Sequence, residues 1–239
     1  MPKVPTTGGG FIVKMLKDFF RTPRTSARAG SGPEAPALKT PALKTPAPKT
    51  PAPKTSGSGP AHPNPFAHAP DSPQARPLAG AEPPEVAVRN ANPHFDPKDP
   101  TGPYNVNCTN CVVAVEHRMR GWDVQARPFT GGPAGRFGDP SEGWRGPDGR
   151  PVEHHVYHEN VGDEFPDGAS GSIYGGWRMG GGHIWNWRKQ DGVMQYFDGQ
   201  TGLADASGYF DNLAPGTTAL YRTDDADWIG DPSDWIMPS

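Results

Sequence analysis

Of the 31 prolines, 21 fall within residues 1–100, whereas all seven tryptophans and both cysteines come later. This segregation rules out one uniform fold. Proline removes backbone donors, and the first hundred residues offer little apolar surface to offset the entropy of ordering. Charge divides the same way. Residues 1–92 hold 12 Lys/Arg against 5 Asp/Glu, net +7, and residues 93–239 hold 11 against 21, net −10. Two cysteines three positions apart close almost no loop, which excludes a disulfide-stapled scaffold.

The expected organisation is therefore a disordered, Pro-rich arm over residues 1–92 and a folded domain over 93–239. Residues 36–55 read PALKT, PALKT, PAPKT, PAPKT, four tandem repeats that favour an extended, self-repelling spacer. Residues 11–20, FIVKMLKDFF, place apolar side chains on one helical face, so a short amphipathic helix is expected there. Lys14, Lys17 and Asp18 interrupt it, so it is neither a membrane span nor a standard signal peptide. The arm's positive charge is too dilute, and too poor in interleaved aromatic residues, for nucleic-acid binding.

Within the domain, Cys108–Arg120 carries apolar residues at helical spacing, with Asn105 or Asn107 as N-cap and Gly121 as a stop. Residues 122–150 and 164–182 read as loops rich in Gly, Pro and Asp. His183–Arg188 and Val193–Asp198 are short aromatic-rich runs flanking Asp191-Gly192, a β-hairpin signature, and Thr218–Arg222 is one more strand.

Cys108 opens the helix, where unpaired N–H groups and the positive end of the dipole favour a thiolate nucleophile. Cys111 falls on the apolar stripe and is expected to be buried and inert. A thiolate needs a base, and the base an orienting group. Of the eight histidines, His62, His68 and His94 lie in or beside the arm, and His117 is placed on the polar face of the helix. His154, His155 and His158 form a cluster without a clear setting. His183 opens a strand directly after Gly180–Gly182. The hairpin then sorts Asp198. If Arg188 faces Val193 across a four-residue turn, His183 faces Asp198 directly. If Gln190 faces Val193 across the two-residue Asp191-Gly192 turn, Asp198 lies one diagonal step from His183. Both registers put carboxylate and imidazole on one sheet face, at Cβ separations of roughly 5 or 7–8 Å.

The run Asn107-Cys108-x-x-Cys111-Val112-Val113-Ala114-Val115, then Gly182-His183-Ile184-x-Asn186, then Phe197-Asp198-Gly199-Gln200-Thr201-Gly202 resembles the papain-fold toxin family of bacterial polymorphic toxins, described as glutamine deamidase-like. The resemblance spans roughly residues 100–215. It implies an α+β, papain-like cysteine-hydrolase fold, with a nucleophile helix packed on a small antiparallel sheet. It also implies a catalytic set of Cys108, His183 and Asp198, with no metal and no cofactor. One position departs from the papain-like pattern. A glutamine six residues before the nucleophile helps form the oxyanion hole in papain-like proteases, and here it is Gly102. The backbone N–H of Cys108 remains, and Asn105, Asn107 and Gln200 are the side chains offered for oxyanion or substrate contacts.

The implied protein is a secreted or injected toxin acting in a target-cell cytosol. Its partners would be a target protein, a cognate immunity protein and a secretion apparatus engaged through the arm. Its expected reaction is deamidation of a glutamine side chain. The same groups would serve a protease, a transglutaminase or an acyltransferase. The rival of another class is a zinc-binding interaction module built on Cys108, Cys111, His154 and His158. The 42 residues between Cys111 and His154 speak against it.

Overall fold

The computed structural model describes residues 62–130 and 139–239. The helix expected over 11–20 and the repeats over 36–55 lie outside them.

The elements in chain order are β1 (Arg76–Pro77), α1 (Pro84–Ala91), α2 (Cys108–Met119), β2 (Trp122–Ala126), β3 (Trp144–Arg145), β4 (His154–Val156), β5 (Ser170–Gly176), β6 (Gly182–Gln190), β7 (Val193–Phe197), β8 (Ala219–Arg222), β9 (Asp227–Trp228) and β10 (Ile236–Pro238). Five strands form an antiparallel sheet in the order β4-β8-β5-β6-β7. A smaller sheet, β1-β2-β10, and the pair β3-β9 complete the pairing.

The α2 sequence CTNCVVAVEHRM is apolar over more than one face, and the helix is buried from Thr109 to Arg118. It meets the sheet through polar as well as apolar contacts. Asn186 Nδ2 donates to the Val112 carbonyl at 3.1 Å, and Ser170 Oγ donates to Glu116 at 3.3 Å. Its charged residues are buried in pairs, as a low-dielectric interior requires. Arg118 grips Glu82 at 2.7 and 2.9 Å, and Arg120 meets Glu116 at 3.0 Å.

His117 differs from its expected polar-face position. It is 2 % exposed, stacked on Trp144 at 5.1 Å, and neither ring nitrogen has a hydrogen-bond partner among the described residues. Burial first, then the charges of Arg120 and His62, hold it well below its ordinary value of 6.5. Above 6.5 both folded and unfolded chains carry neutral His117, and below it only the unfolded chain takes the proton. Stability is therefore expected to fall as pH drops from about 6.5 to 5. His117→Phe, which keeps the stack, should flatten that acid limb, as read by urea midpoints across the interval.

Residues 62–92 correct the expected arm boundary. Phe66, Ala75, Ala87, Val88 and Ala91 lie in the same apolar cluster as Cys111, Val113 and Val115. The buried positions of α1 are 84, 87, 88 and 91, a helical stripe built from small residues. The stretch read as loop over 164–182 contains β5, the middle strand of the sheet. Its glycines are packing devices. A Cβ on Gly171 would sit 1.9 Å from the Tyr221 carbonyl oxygen, and one on Gly175 would sit 2.6 Å from Leu213. The turn lies beyond, at Gly180 and Gly181, whose φ angles are +88° and +84°. Residues 122–150, also read as loop, contain β2 and β3.

The β6–β7 hairpin takes the two-residue turn. Gln190 pairs with Val193, and Asp191 and Gly192 both have positive φ, as a type I′ turn demands. Asp198 follows immediately, held by reciprocal backbone bonds to Leu203 at 2.8 and 3.0 Å.

Candidate active site

Cys108 is the first residue of α2 and is half-buried. Asn107 occupies the N-cap position, but its side chain makes no capping bond. Its carbonyl takes the amides of Asn110 and Cys111, at 2.9 and 3.1 Å. The amides of Cys108 and Thr109 have no acceptor among the described residues, so the helix start presents donors beside the thiol.

His183, on β6, sets Nε2 3.1 Å from Asp198 Oδ2. The Cys108 thiol acts on the same imidazole, adding to the rise in its pKa. Since Nε2 faces Asp198, Nδ1 is the nitrogen left for the sulfur. Thiol, ring and carboxylate are thus brought together by a helix start, a strand and a hairpin end. Asp198 is 1 % exposed and fully engaged. Oδ1 accepts the Gln200 amide at 2.9 Å, and Oδ2 accepts Thr201 Oγ1 and the Tyr209 hydroxyl, each at 2.8 Å.

Burial alone would lower the His183 pKa. The Asp198 charge and hydrogen bond, joined by those of Cys108, outweigh it and push the value up to about 10. Burial correspondingly raises Asp198, and the His183 charge and the donors around the carboxylate bring it below the usual range. Aromatic rings enclose the pair. Trp177 and Trp185 stack near the imidazole at 6.0 and 5.9 Å, and Tyr209 meets it edge-on at 5.7 Å.

Cys111 lies in the core, 1 % exposed, with Sγ 3.3 Å from Asn107 Oδ1. Burial first, and then the charges of Asp198 and Cys108, raise its pKa well above the ordinary thiol value. Iodoacetamide is accordingly expected to alkylate Cys108 and to leave Cys111 untouched in the folded protein. Peptide mapping after a short exposure checks this, and equal labelling would contradict it.

Two of the side chains offered for oxyanion contacts are committed elsewhere. Asn105 binds the backbone of Asp96 through both amide atoms, at 2.6 and 3.1 Å. Asn107 is fully buried and donates to the Arg127 carbonyl at 2.9 Å. Gln200 belongs to the carboxylate cradle through its backbone. The zinc arrangement does not assemble either. Cys111 is in the core, β4 with His154 lies at the far edge of the sheet from β6 and β7, and His158 Nε2 pairs with Glu164 at 2.6 Å. No group of three or more His, Cys, Asp or Glu placed to hold a metal occurs among the described residues.

Asn92 was not singled out in the sequence. Its Nδ2 donates to the Tyr104 carbonyl at 2.8 Å and the Gln200 carbonyl at 2.9 Å, tying the segment before Cys108 to the segment after Asp198. Only its place after the α1 stripe hinted at a structured role. Thr201 stood inside the quoted motif without a role, and Tyr209 carried no local signal.

The site thus joins a half-exposed thiol at a helix start to an imidazole–carboxylate pair carried by an antiparallel sheet. Residues 106–203 match the family model described as papain fold toxin 1, glutamine deamidase. That segment is similar to a family of toxins of hydrolytic chemistry, and it contains Cys108, His183 and Asp198. No curated protein and no solved structure matches the chain. Among the described residues no helix is long and apolar enough to cross a membrane.

Proposed function

We propose that this protein is a toxin that deamidates a glutamine side chain of a target protein, with Cys108 as nucleophile. Cys108 thiolate attacks the carboxamide carbon. The Cys108 and Thr109 amides receive the developing oxyanion. His183, as imidazolium, gives its Nδ1 proton to the leaving nitrogen, and ammonia departs. Neutral His183 then takes a proton from water, which attacks the thioester and leaves glutamate and free Cys108. Asp198 holds the ring in the tautomer that points Nδ1 at the sulfur and stabilises the imidazolium. The observation that carries this reading is the His183 imidazole, 3.1 Å from Asp198 and within electrostatic reach of the Cys108 thiol, inside the segment that matches the deamidase family.

Delivery into a target cell fits two free cysteines, which a reducing cytosol keeps reduced. The Pro-rich N-terminal residues would engage the export machinery, and a cognate immunity protein would restrain the toxin in the producing cell. Expression of the full chain in a bacterial cytosol tests the reading. Wild type should arrest growth and Cys108→Ala should not. Equal toxicity of the two would overturn it, as would peptide-bond cleavage of the modified protein in place of ammonia release.

A further inference from the structure

We infer that Tyr209 is a positioning residue whose phenol holds the Asp198 carboxylate against His183 and limits how strongly that carboxylate draws the imidazole proton. The inference rests on the proposed roles of Cys108, His183 and Asp198, and it concerns a residue outside the matched segment.

Tyr209 arrives from the short 3-10 turn Ser207–Asn212, beyond the hairpin that carries the pair. Its hydroxyl donates to Asp198 Oδ2 at 2.8 Å, shorter than the 3.1 Å from His183 Nε2 to the same oxygen. Thr201 Oγ1 is a third donor there, also at 2.8 Å. An oxygen with two lone pairs is thus shared among three donors, one of them the ring whose orientation matters. Charge that Oδ2 spends on Tyr209 and Thr201 is not spent on the imidazole.

The phenol remains a donor throughout the working range. Burial, with the nearby Asp198 charge, pushes its pKa upward, against a smaller opposing contribution from Thr201. Its ring also contacts Trp177 at 5.6 Å and Trp185 at 5.5 Å, both nearly perpendicular, and so closes the aromatic wall over the pair. The other titratable groups around this point are Cys108 and Cys111 from α2, and Tyr174 from β5. The donors recorded at Oδ2 among the described residues are His183 Nε2, Thr201 Oγ1 and the Tyr209 hydroxyl.

Removing the hydroxyl leaves Asp198 more basic and leaves Oδ2 to His183 and Thr201 alone. His183 then holds its proton more tightly, which weakens it as the acid that protonates the leaving ammonia. A loss in kcat is expected, with KM little changed, because the effect falls on the proton transfer and not on substrate binding.

The test follows the His183 ring resonances by NMR across pH in the full chain, the signal being assigned with His183→Gln. In Tyr209→Phe, which keeps the ring, the His183 midpoint should move upward. A fluorinated tyrosine placed at 209 is a stronger donor and should move it downward. An unmoved midpoint in both proteins, with the melting temperature of wild type retained, would overturn the assignment and leave Tyr209 as packing. If Tyr209→Phe does not fold, the fluorinated protein decides alone. Absence of deamidation by wild type, with the midpoint shifts present, would sink the deamidase reading and leave the Tyr209 assignment standing. Deamidation by wild type without the shifts would sink the Tyr209 assignment only.

Discussion

Cys108→Ala should lower deamidation by about a thousandfold or more, because no other group can form the thioester. Cys111 offers no substitute. It sits a full turn inside the helix, 1 % exposed, and its pKa is raised by burial. The variant should fold normally, since Cys108 is only half-buried and its loss opens no cavity in the core. Its thermal melt should match wild type while ammonia release disappears. Cys111→Ala should do the reverse, lowering stability by about 1 kcal/mol and leaving chemistry largely intact. A Cys111→Ala protein that alone lost activity would show that the wrong thiol had been chosen.

Asp198→Asn should lower activity by about 10²- to 10⁴-fold, by the route known for triads in which an amide replaces the carboxylate. The amide keeps the size of the side chain but presents no charge to His183. With burial still lowering the ring's pKa and the Asp198 contribution removed, the His183 midpoint should fall from about 10 toward or below 6.5. The sign carries over to stability. A raised His183 stabilises the fold fully below 6.5, and that contribution is lost as pH rises from 6.5 through about 10. Wild type should therefore weaken across that alkaline interval, and Asp198→Asn should start weaker and lose less across it. Urea midpoints at several pH values between those limits measure both. A parallel pH dependence in the two proteins would mean that the His183–Asp198 pair is not ionised as described.

The parts of the fold that sequence revealed were those with local chemistry. The α2 helix has an apolar period and a glycine stop. The β6–β7 hairpin has an Asp-Gly turn, and both registers compatible with it put Asp198 on the His183 side. What stayed hidden depends on partners distant in sequence. Pro84, Ala87, Val88 and Ala91 form a helical stripe, but such small side chains bury usefully only because α2 and the loop after β7 lie against them. A Cβ on Gly199 would meet Val115 at 2.4 Å and Ala91 at 3.6 Å, which marks how close that packing is. Gly175 and Gly176 of β5 look like a turn in the sequence because glycine usually marks one. Here the approach of the Tyr221 backbone excludes a side chain at Gly171. His117 was assigned to a solvated face by helical periodicity, and Trp144 and Trp228 cover that face from more than 25 residues downstream. The asparagines before Cys108 were offered to the substrate by proximity in sequence, and Asp96 and Arg127 take them instead.

In the proposed reaction water, through a Cys108 thioester, replaces the side-chain nitrogen of a glutamine in a target protein. It is tested most directly by incubating the full chain with a target-cell extract in water enriched in heavy oxygen and mapping the modified peptides by mass spectrometry. Intact target chains are expected, in which one glutamine has become a glutamate carrying one heavy oxygen, with wild type and not with Cys108→Ala. Cleaved chains with the label at a new C-terminus, or a labelled glutamate that Cys108→Ala still produces, would contradict it.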